Sequence, residues 1–230
     1  AQRIGLSATV RPHEEVGRFL TGAAPIDIVA PPAPKTFDLS VQVPVEDMTE
    51  LGVIEPSEGD ASAAPQHGSI WPHVEEKMVD LILEHSSCIV FANSRRLAER
   101  LTARLNEVYA ERLGEGSEAA PERPNTPASQ LGSTGEVNHG ADPLLARAHH
   151  GSVSKDQRAL IEDDLKTGRL RCVVATSSLE LGIDMGAVDL VVQVEAPPSV
   201  ASGLQRVGRA GHQVGEISKG VLFPKQRTDL

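Results

Sequence analysis

Apolar residues recur along this chain with two different periods. Ser87–Ala92 (SCIVFA), Arg171–Thr176 (RCVVAT) and Val188–Val194 are short, nearly continuous apolar runs, the pattern of strands buried on both faces. Ala146–His149 reads as a weaker strand, and Gly220–Phe223 as a strand that closes the sheet. Between these runs the spacing becomes that of amphipathic helices. Trp71–His85 places Val74, Met78, Leu81 and Ile82 on one face, and Arg95–Tyr109 does the same with Leu97, Leu101, Leu105 and Val108. Lys155–Thr167 reads as a helix entered through a capping-box pair, Ser154 with Gln157, and left at Gly168. Ser199 to about Ala210 reads as a further helix. Repeated strand–helix units predict an α/β fold, a parallel sheet with helices on both faces. In such sheets ligands gather beyond the carboxyl ends of the strands, so the residues just after each strand are the ones to test for chemistry.

Residues 1–35 read differently. Arg3–Leu6 suggests a strand, Pro12–Leu20 a helix and Ile26–Val29 a second strand, before a stiff break at Pro31, Pro32 and Pro34. A stretch this short is not expected to fold alone. The expected organisation is the tail of a preceding domain over 1–35, then one α/β domain over 36–230. The first residue, Ala1 and not Met, suits a piece excised from a longer chain. Two acidic stretches, near 44–66 and 110–143, are rich in Glu, Ser, Pro and Gly and hold no sustained period. They are read as loops, and Leu113–Pro143 as a disordered insertion, because such composition buries too little apolar surface to offset the entropy of ordering.

The net charge of −10 at first argues against a nucleic-acid partner. Its location changes the picture: Pro44–Gln66 carries −6 and Ala110–Pro143 carries −4, which leaves the rest of the chain neutral. Local basic sites therefore remain open to phosphate. Cys88 and Cys172 lie inside apolar runs and are expected to be buried, reduced thiols, which fits a cytoplasmic protein. No Cys and His pairing has zinc-site spacing, so no metal site is expected. No apolar run approaches the roughly 20 residues of a membrane span, and no membrane partner is expected.

Two motifs suit phosphate chemistry, one on a helix and one directly after a buried strand. In QRVGRAGH (205–212), Arg206 and Arg209 stand three apart, on one face of a helix, and their planar forks suit phosphate oxygens. The competing reading is a solvated basic helix end. In ATSSLELGIDM (175–185), hydroxyls in series can bond a phosphate backbone, and Asp184 can accept from a ribose hydroxyl; a strand end with a capped short helix is the alternative. FANSR (91–95) and HHGS (149–152) offer Ser94, Arg95, Gly151 and Ser152, with hydroxyl, guanidinium and main-chain donors. Ser94 also fits a helix N-cap. Adjacent strand residues face opposite ways, so His149 and His150 are not expected to share a metal; His150 fits either a place near nucleic acid or a satisfied interior position.

Together these strings resemble the motor motifs of superfamily-2 helicases, and the versions TSSLELGID and GRAGH are close to those of the Lhr (large helicase-related) family. QRVGRAGH resembles motif VI, TSSLELGID motif V, FANSR motif IV, HHGS the strand-contacting motif after it, and Ser7-Ala8-Thr9 motif III. QVEAPPSVA (193–201) also looks like Lhr, and only the two acidic loops lie outside the resemblance. The fold implied is the second RecA-like motor domain, preceded by the end of the first. By resemblance, Arg209 is the arginine finger on ATP, supported by Gln205 and Arg206, and Gly182, Asp184, Arg206 and Arg209 face the nucleotide. Thr176, Ser177, Ser94, Arg95, His150, Gly151 and Ser152 contact nucleic acid, while Ser7 and Thr9 couple hydrolysis to movement. His212 stands where the common motif VI has a third arginine, which puts a phosphate role there in doubt.

A motor also needs a phosphate-cradling GxxxxGKS/T loop and an acidic Mg²⁺ motif, and neither occurs in this sequence. The implied ATP and Mg²⁺ are then held mainly by the first RecA-like domain, and this chain alone is expected to be inactive. The implied function is part of an ATP-dependent helicase or translocase, moving 3′ to 5′ on single-stranded DNA, acting on DNA or an RNA:DNA duplex, in DNA repair. Two alternatives remain open: a RecA-like module that binds nucleic acid or protein without turnover, and an RNA helicase of the same superfamily.

Overall fold

The computed structural model describes residues 2–7, 10–30, 35–44, 53–54, 66–67, 70–114, 144–180, 186–211 and 215–224. Its elements run α1 (His13–Thr21), β1 (Thr36–Val41), β2 (Val53–Ile54), β3 (Gln66–His67), α2 (Trp71–Glu84), β4 (Cys88–Phe91), α3 (Arg95–Gly114) and β5 (Ala146–His149). They continue with α4 (Lys155–Lys166), β6 (Cys172–Ala175), a single 3₁₀ turn (Ser177–Leu179), β7 (Leu190–Val194), α5 (Val200–Val207) and β8 (Ile217–Phe223). Six strands form one sheet in the order β1-β8-β7-β4-β6-β5, and every pair in it is parallel. β2 and β3 form a separate antiparallel pair.

Alternation along each strand splits the core into two layers. Cys88, Val90, Cys172, Val174, Leu190, Val192 and Val194 face α2 and α3 and pack on Val74, Met78, Ile82, Leu101 and Leu105. Ile89, Phe91, Val173, Ala175 and Val191 face the other way, against Ile161 and Leu165 of α4 and Val207 of α5. Helices thus cover both faces, as the parallel α/β reading expects. Met78, Ile82, Leu101 and Leu105 are fully buried, and cutting any of them to Ala costs about 2–5 kcal/mol. The two cysteines are register partners on β4 and β6. Burial pushes the Cys88 thiol up to about 12 and the Cys172 thiol well above its ordinary value, so both are unreactive, free thiols.

Several boundaries differ from the sequence reading, each for a local reason. α3 runs five residues beyond Tyr109, into the stretch read as a loop, because Arg112 reaches across to Asp80 (2.7 Å) and Glu76 on α2 and Ala110 is buried. β1 was not expected at all. Phe37, Leu39 and Val41 alternate with polar residues, but β1 is an edge strand with most of its surface in solvent, so its pattern is faint. β8 consequently lies one strand in from the edge, not at the edge. Arg3–Leu6 and Ile26–Val29 are not strands; no described strand lies beside them to take up their backbone groups. The helix expected at Pro12–Leu20 is present as α1, with Pro12 as its N-cap. Pro31, Pro32, Pro34 and most of both acidic stretches lie outside the described residues.

One side chain fixes how the chain rejoins the sheet after residue 143. Asn106 on α3 is fully buried; its Oδ1 accepts from the backbone N–H of Leu145 and of Ala146, both at 2.8 Å, and its Nδ2 donates to the Ala146 carbonyl at 3.0 Å. β5 therefore begins in a set register beside β6.

Candidate functional site

The loops after β4, β6 and β5 stand side by side at the carboxyl edge, because those strands are neighbours. Ser94, Arg95, Gly151, Ser152 and Ser177 are exposed there, and Thr176 is half-buried. Arg95 donates from Nη1 to Ser152 Oγ at 2.9 Å, which ties the first loop to the third. Thr176 N–H donates to the His149 carbonyl at 3.3 Å, which ties the second to the third. Ser94 Oγ accepts from Leu97 N–H at 3.2 Å, so it caps α3 and keeps its hydroxyl at the surface. Hydroxyls, a guanidinium and backbone N–H groups thus share one ridge, a set suited to successive phosphates.

Two histidines beneath the ridge are structural. His149 is fully buried, with Nδ1 2.9 Å from Ser178 Oγ and Nε2 3.0 Å from Glu162 Oε1. Ser178 donates in turn to the His149 carbonyl at 2.9 Å, so the 3₁₀ turn after β6 is fastened to the end of β5. His150, expected near nucleic acid, is 2% exposed. Its Nδ1 accepts from Ser152 N–H at 3.3 Å, and Nε2 faces Glu99 at 3.3 Å, outside good hydrogen-bond geometry. The ring shapes the Gly151–Ser152 turn from inside, with one nitrogen bonded to that turn and the other turned toward Glu99. Burial lowers the pKa of both rings.

A second cluster joins motif V to motif VI. α5 starts at Ser199, whose Oγ accepts from Ser202 N–H at 3.1 Å, and stops at Val207, short of the expected Ala210. The two arginines consequently do not share an outward face. Arg206 turns inward and is 2% exposed. Its Nε donates to Glu180 Oε1 at 2.6 Å and its Nη2 lies 2.5 Å from the same oxygen; Nη1 donates to Asn93 Oδ1 at 2.9 Å and to Gln193 Oε1 at 3.0 Å. The guanidinium also lies 5.3 Å from the centre of the Phe91 ring. Arg206, expected to touch the nucleotide, is held entirely by the protein and acts as the bolt that binds motif IV, motif V and β7 to α5. Ser202 Oγ adds a bond to Glu180 Oε1 at 3.0 Å, and Asn93 Nδ2 donates to the Ala196 carbonyl at 2.7 Å.

Arg209 lies just past this bolt, half-buried, in the turn after α5. Its Nη2 donates to the Glu180 carbonyl at 2.6 Å, so Glu180 holds both arginines, one by side chain and one by backbone. Burial lowers the Arg209 pKa. Gln205 is half-buried one turn earlier. Gly182, Asp184, Thr9 and His212 lie outside the described residues; Ser7 is exposed in irregular chain. Glu180, Asn93 and Gln193 were not singled out from the sequence. Gln193 did carry a signal: a polar residue inside the apolar run LVVQV implies a buried partner.

Comparison with known proteins places this geometry among helicases. Residues 137–213 match the model of the helicase conserved C-terminal domain. The chain is 70% identical, over its whole length, to a protein of Mycolicibacterium smegmatis named Lhr helicase/probable uracil glycosylase, and 55% identical to the Lhr helicase/uracil glycosylase of Escherichia coli. It spans 14% and 15% of the length of those relatives. A solved structure of the Mycobacterium smegmatis helicase Lhr, bound to ssDNA and AMP-PNP, superposes over 100% of this chain with a TM-score of 0.77 and 67% identity, and this chain covers 25% of it.

Proposed function

The chain belongs to the Lhr helicase family, and on that premise we propose that it is the second motor domain of an ATP-dependent helicase that translocates on single-stranded DNA. The observation that carries this reading is the Glu180 node. It ties Arg209 to the 3₁₀ turn after β6, the turn that carries Thr176 and Ser177 into the ridge of phosphate-suited groups on the loops after β4, β5 and β6. In this reading Arg209 is the arginine finger, and it acts on ATP and Mg²⁺ held by a first RecA-like domain. Arg206 and Glu180 position it. Gln205, Gly182 and Asp184 line the nucleotide side, while Ser94, Arg95, Gly151, Ser152, Thr176 and Ser177 line the nucleic-acid side.

Residues 1–35 are assigned to the end of the first RecA-like domain, with Ser7 and Thr9 coupling the two. Leu6, Phe19 and Val29, each about nine-tenths or more exposed, support this, since such apolar surface calls for a covering partner. Movement is 3′ to 5′, on DNA or an RNA:DNA duplex, and the setting is cytoplasmic DNA repair. Among the described residues no helix is long and apolar enough to cross a membrane.

The test is Arg209→Ala in the full-length enzyme. A finger that stabilises transition-state charge contributes about 10³–10⁵ in rate. DNA-stimulated ATPase activity is expected to vanish while DNA binding stays near normal. Near-normal turnover removes the finger assignment, and stimulation by RNA in place of DNA favours an RNA helicase.

A further inference from the structure

Motif V ends on a turn that reaches both the ridge and Arg209, and one serine fastens it to β5. The 3₁₀ turn Ser177–Leu179 is closed by the Glu180 N–H, which donates to the Ser177 carbonyl at 3.1 Å. Leu179 is fully buried in the core layer beneath α4 and α5, which keeps the turn from swinging outward. Thr176 and Ser177, at its entry, lie in the ridge; Glu180, at its exit, holds Arg206 by the carboxylate and Arg209 by the carbonyl. Between them stands Ser178, whose Oγ lies 2.9 Å from both Nδ1 and the carbonyl oxygen of His149, 29 residues earlier. His149 is the last residue of β5, and its carbonyl also accepts from Thr176 N–H at 3.3 Å. Its ring has little freedom of its own, being fully buried with Nε2 3.0 Å from Glu162 on α4. The ridge loop Gly151–Ser152 follows directly, and Arg95, bonded to Ser152 at 2.9 Å, joins the loop after β4 to it. A shift of the ridge is therefore passed to the turn through Ser178. Ser177 and Ser178 look alike in sequence, but the first is exposed and the second turns in to His149.

We propose that Ser178, with His149, is a positioning residue that couples nucleic-acid engagement at the ridge to the placement of Arg209; this rests on the reading that Arg209 faces ATP. Neither residue touches a ligand in this assignment. They act by holding two loops at one spacing, so that ssDNA seated on the ridge favours the arrangement in which Arg209 meets the nucleotide. The plainer role for Ser178 is to stabilise the turn, and a serine of that kind would leave communication between the two sites intact.

Coupling between two sites is reciprocal, so it is measured from both directions. In the full-length enzyme, the Kd for AMP-PNP is taken with and without ssDNA, and the Kd for ssDNA with and without AMP-PNP. The native enzyme is expected to give one common factor, in the range of about 5–150-fold. Ser178→Ala should bring that factor to within about threefold of one, with the affinity for each ligand alone held within about twofold. A second pair of variants guards against a folding defect. His149→Asn places an amide where Nδ1 faces Ser178, and His149→Gln places one where Nε2 faces Glu162; the first should retain the coupling and the second lose it. Equal coupling in these two overturns the proposal. So does a native factor near one, an unchanged factor in Ser178→Ala, or a loss that lies in the affinity for one ligand alone. Arg209→Ala keeps the two readings apart. If it abolishes hydrolysis while Ser178→Ala keeps the full factor, only the coupling assignment fails; if Arg209→Ala turns over normally, the finger reading beneath it fails as well.

Discussion

Removing Arg206 should destabilise the domain far more than the loss of an exposed ion pair would. Arg206→Ala deletes a buried guanidinium that meets Glu180, Asn93 and Gln193 at 2.5–3.0 Å. The Glu180 carboxylate would keep the Ser202 hydroxyl at 3.0 Å as its one remaining side-chain donor among those above, with its charge uncompensated. Breaking a buried ion pair from one side costs about 3–5 kcal/mol. Asn93 and Gln193 would each lose a charge-assisted bond, and part of that loss is recovered if water enters the vacated space. A net loss of about 3–5 kcal/mol is therefore expected. The assay is urea unfolding of the 230-residue chain followed by circular dichroism and by Trp71, the sole tryptophan. The pair should also be coupled: a cycle of Arg206→Met, Glu180→Gln and the double variant should give an interaction of about 2 kcal/mol or more. A cost under about 1 kcal/mol, the range of an exposed ion pair, with coupling near zero, would refute the bolt and return Arg206 to the nucleotide side.

Other outcomes follow from single features. Asn106→Ala should cost about 2–4 kcal/mol by thermal or urea unfolding, since three buried backbone groups lose their partner; a change below about 0.5 kcal/mol would contradict the clamp. Gly211→Ala should destabilise by at least about 1 kcal/mol, because φ is +57° and the added carbon would meet the Ile217 carbonyl oxygen at 2.5 Å; an unchanged melting temperature would exclude that approach. Stability should fall as pH drops below about 6.5, because burial keeps His149 and His150 neutral in the folded chain while the unfolded chain takes up protons there. That contribution is intact above 6.5 and is lost as pH falls toward the depressed folded values. His149→Gln should flatten the slope between pH 7.5 and 5.5, and an unaltered slope would assign it to other groups.

The central strands and both helix layers were legible because β4, β6 and β7 are buried on both faces and write continuous apolar runs, while α2, α3 and α4 write a 3.6-residue period. β1 was not, since an edge strand half in water has little apolar pattern to write. At the site, the residue types were legible and their direction was not. Arg206 and Arg209 stand three apart and resemble each other in sequence. What separates them is that α5 stops between them and that Asn93, Gln193 and Glu180 converge on the first. Those acceptors lie 113, 13 and 26 residues away, a convergence no local pattern carries. His150 was hidden in the same way, by a loop that folds over it.

The Asn106 clamp has a practical corollary. Since a side chain on α3 already holds the first residues of β5 in register, the strand carries its own anchor at Leu145 and Ala146. An anchor of that kind makes the strand tolerant of a longer connection ahead of it, at a closure cost of only about 0.6 kcal/mol for each doubling of length. A fluorescent reporter or a second binding domain spliced there should leave the sheet, and the chemistry at its carboxyl edge, undisturbed.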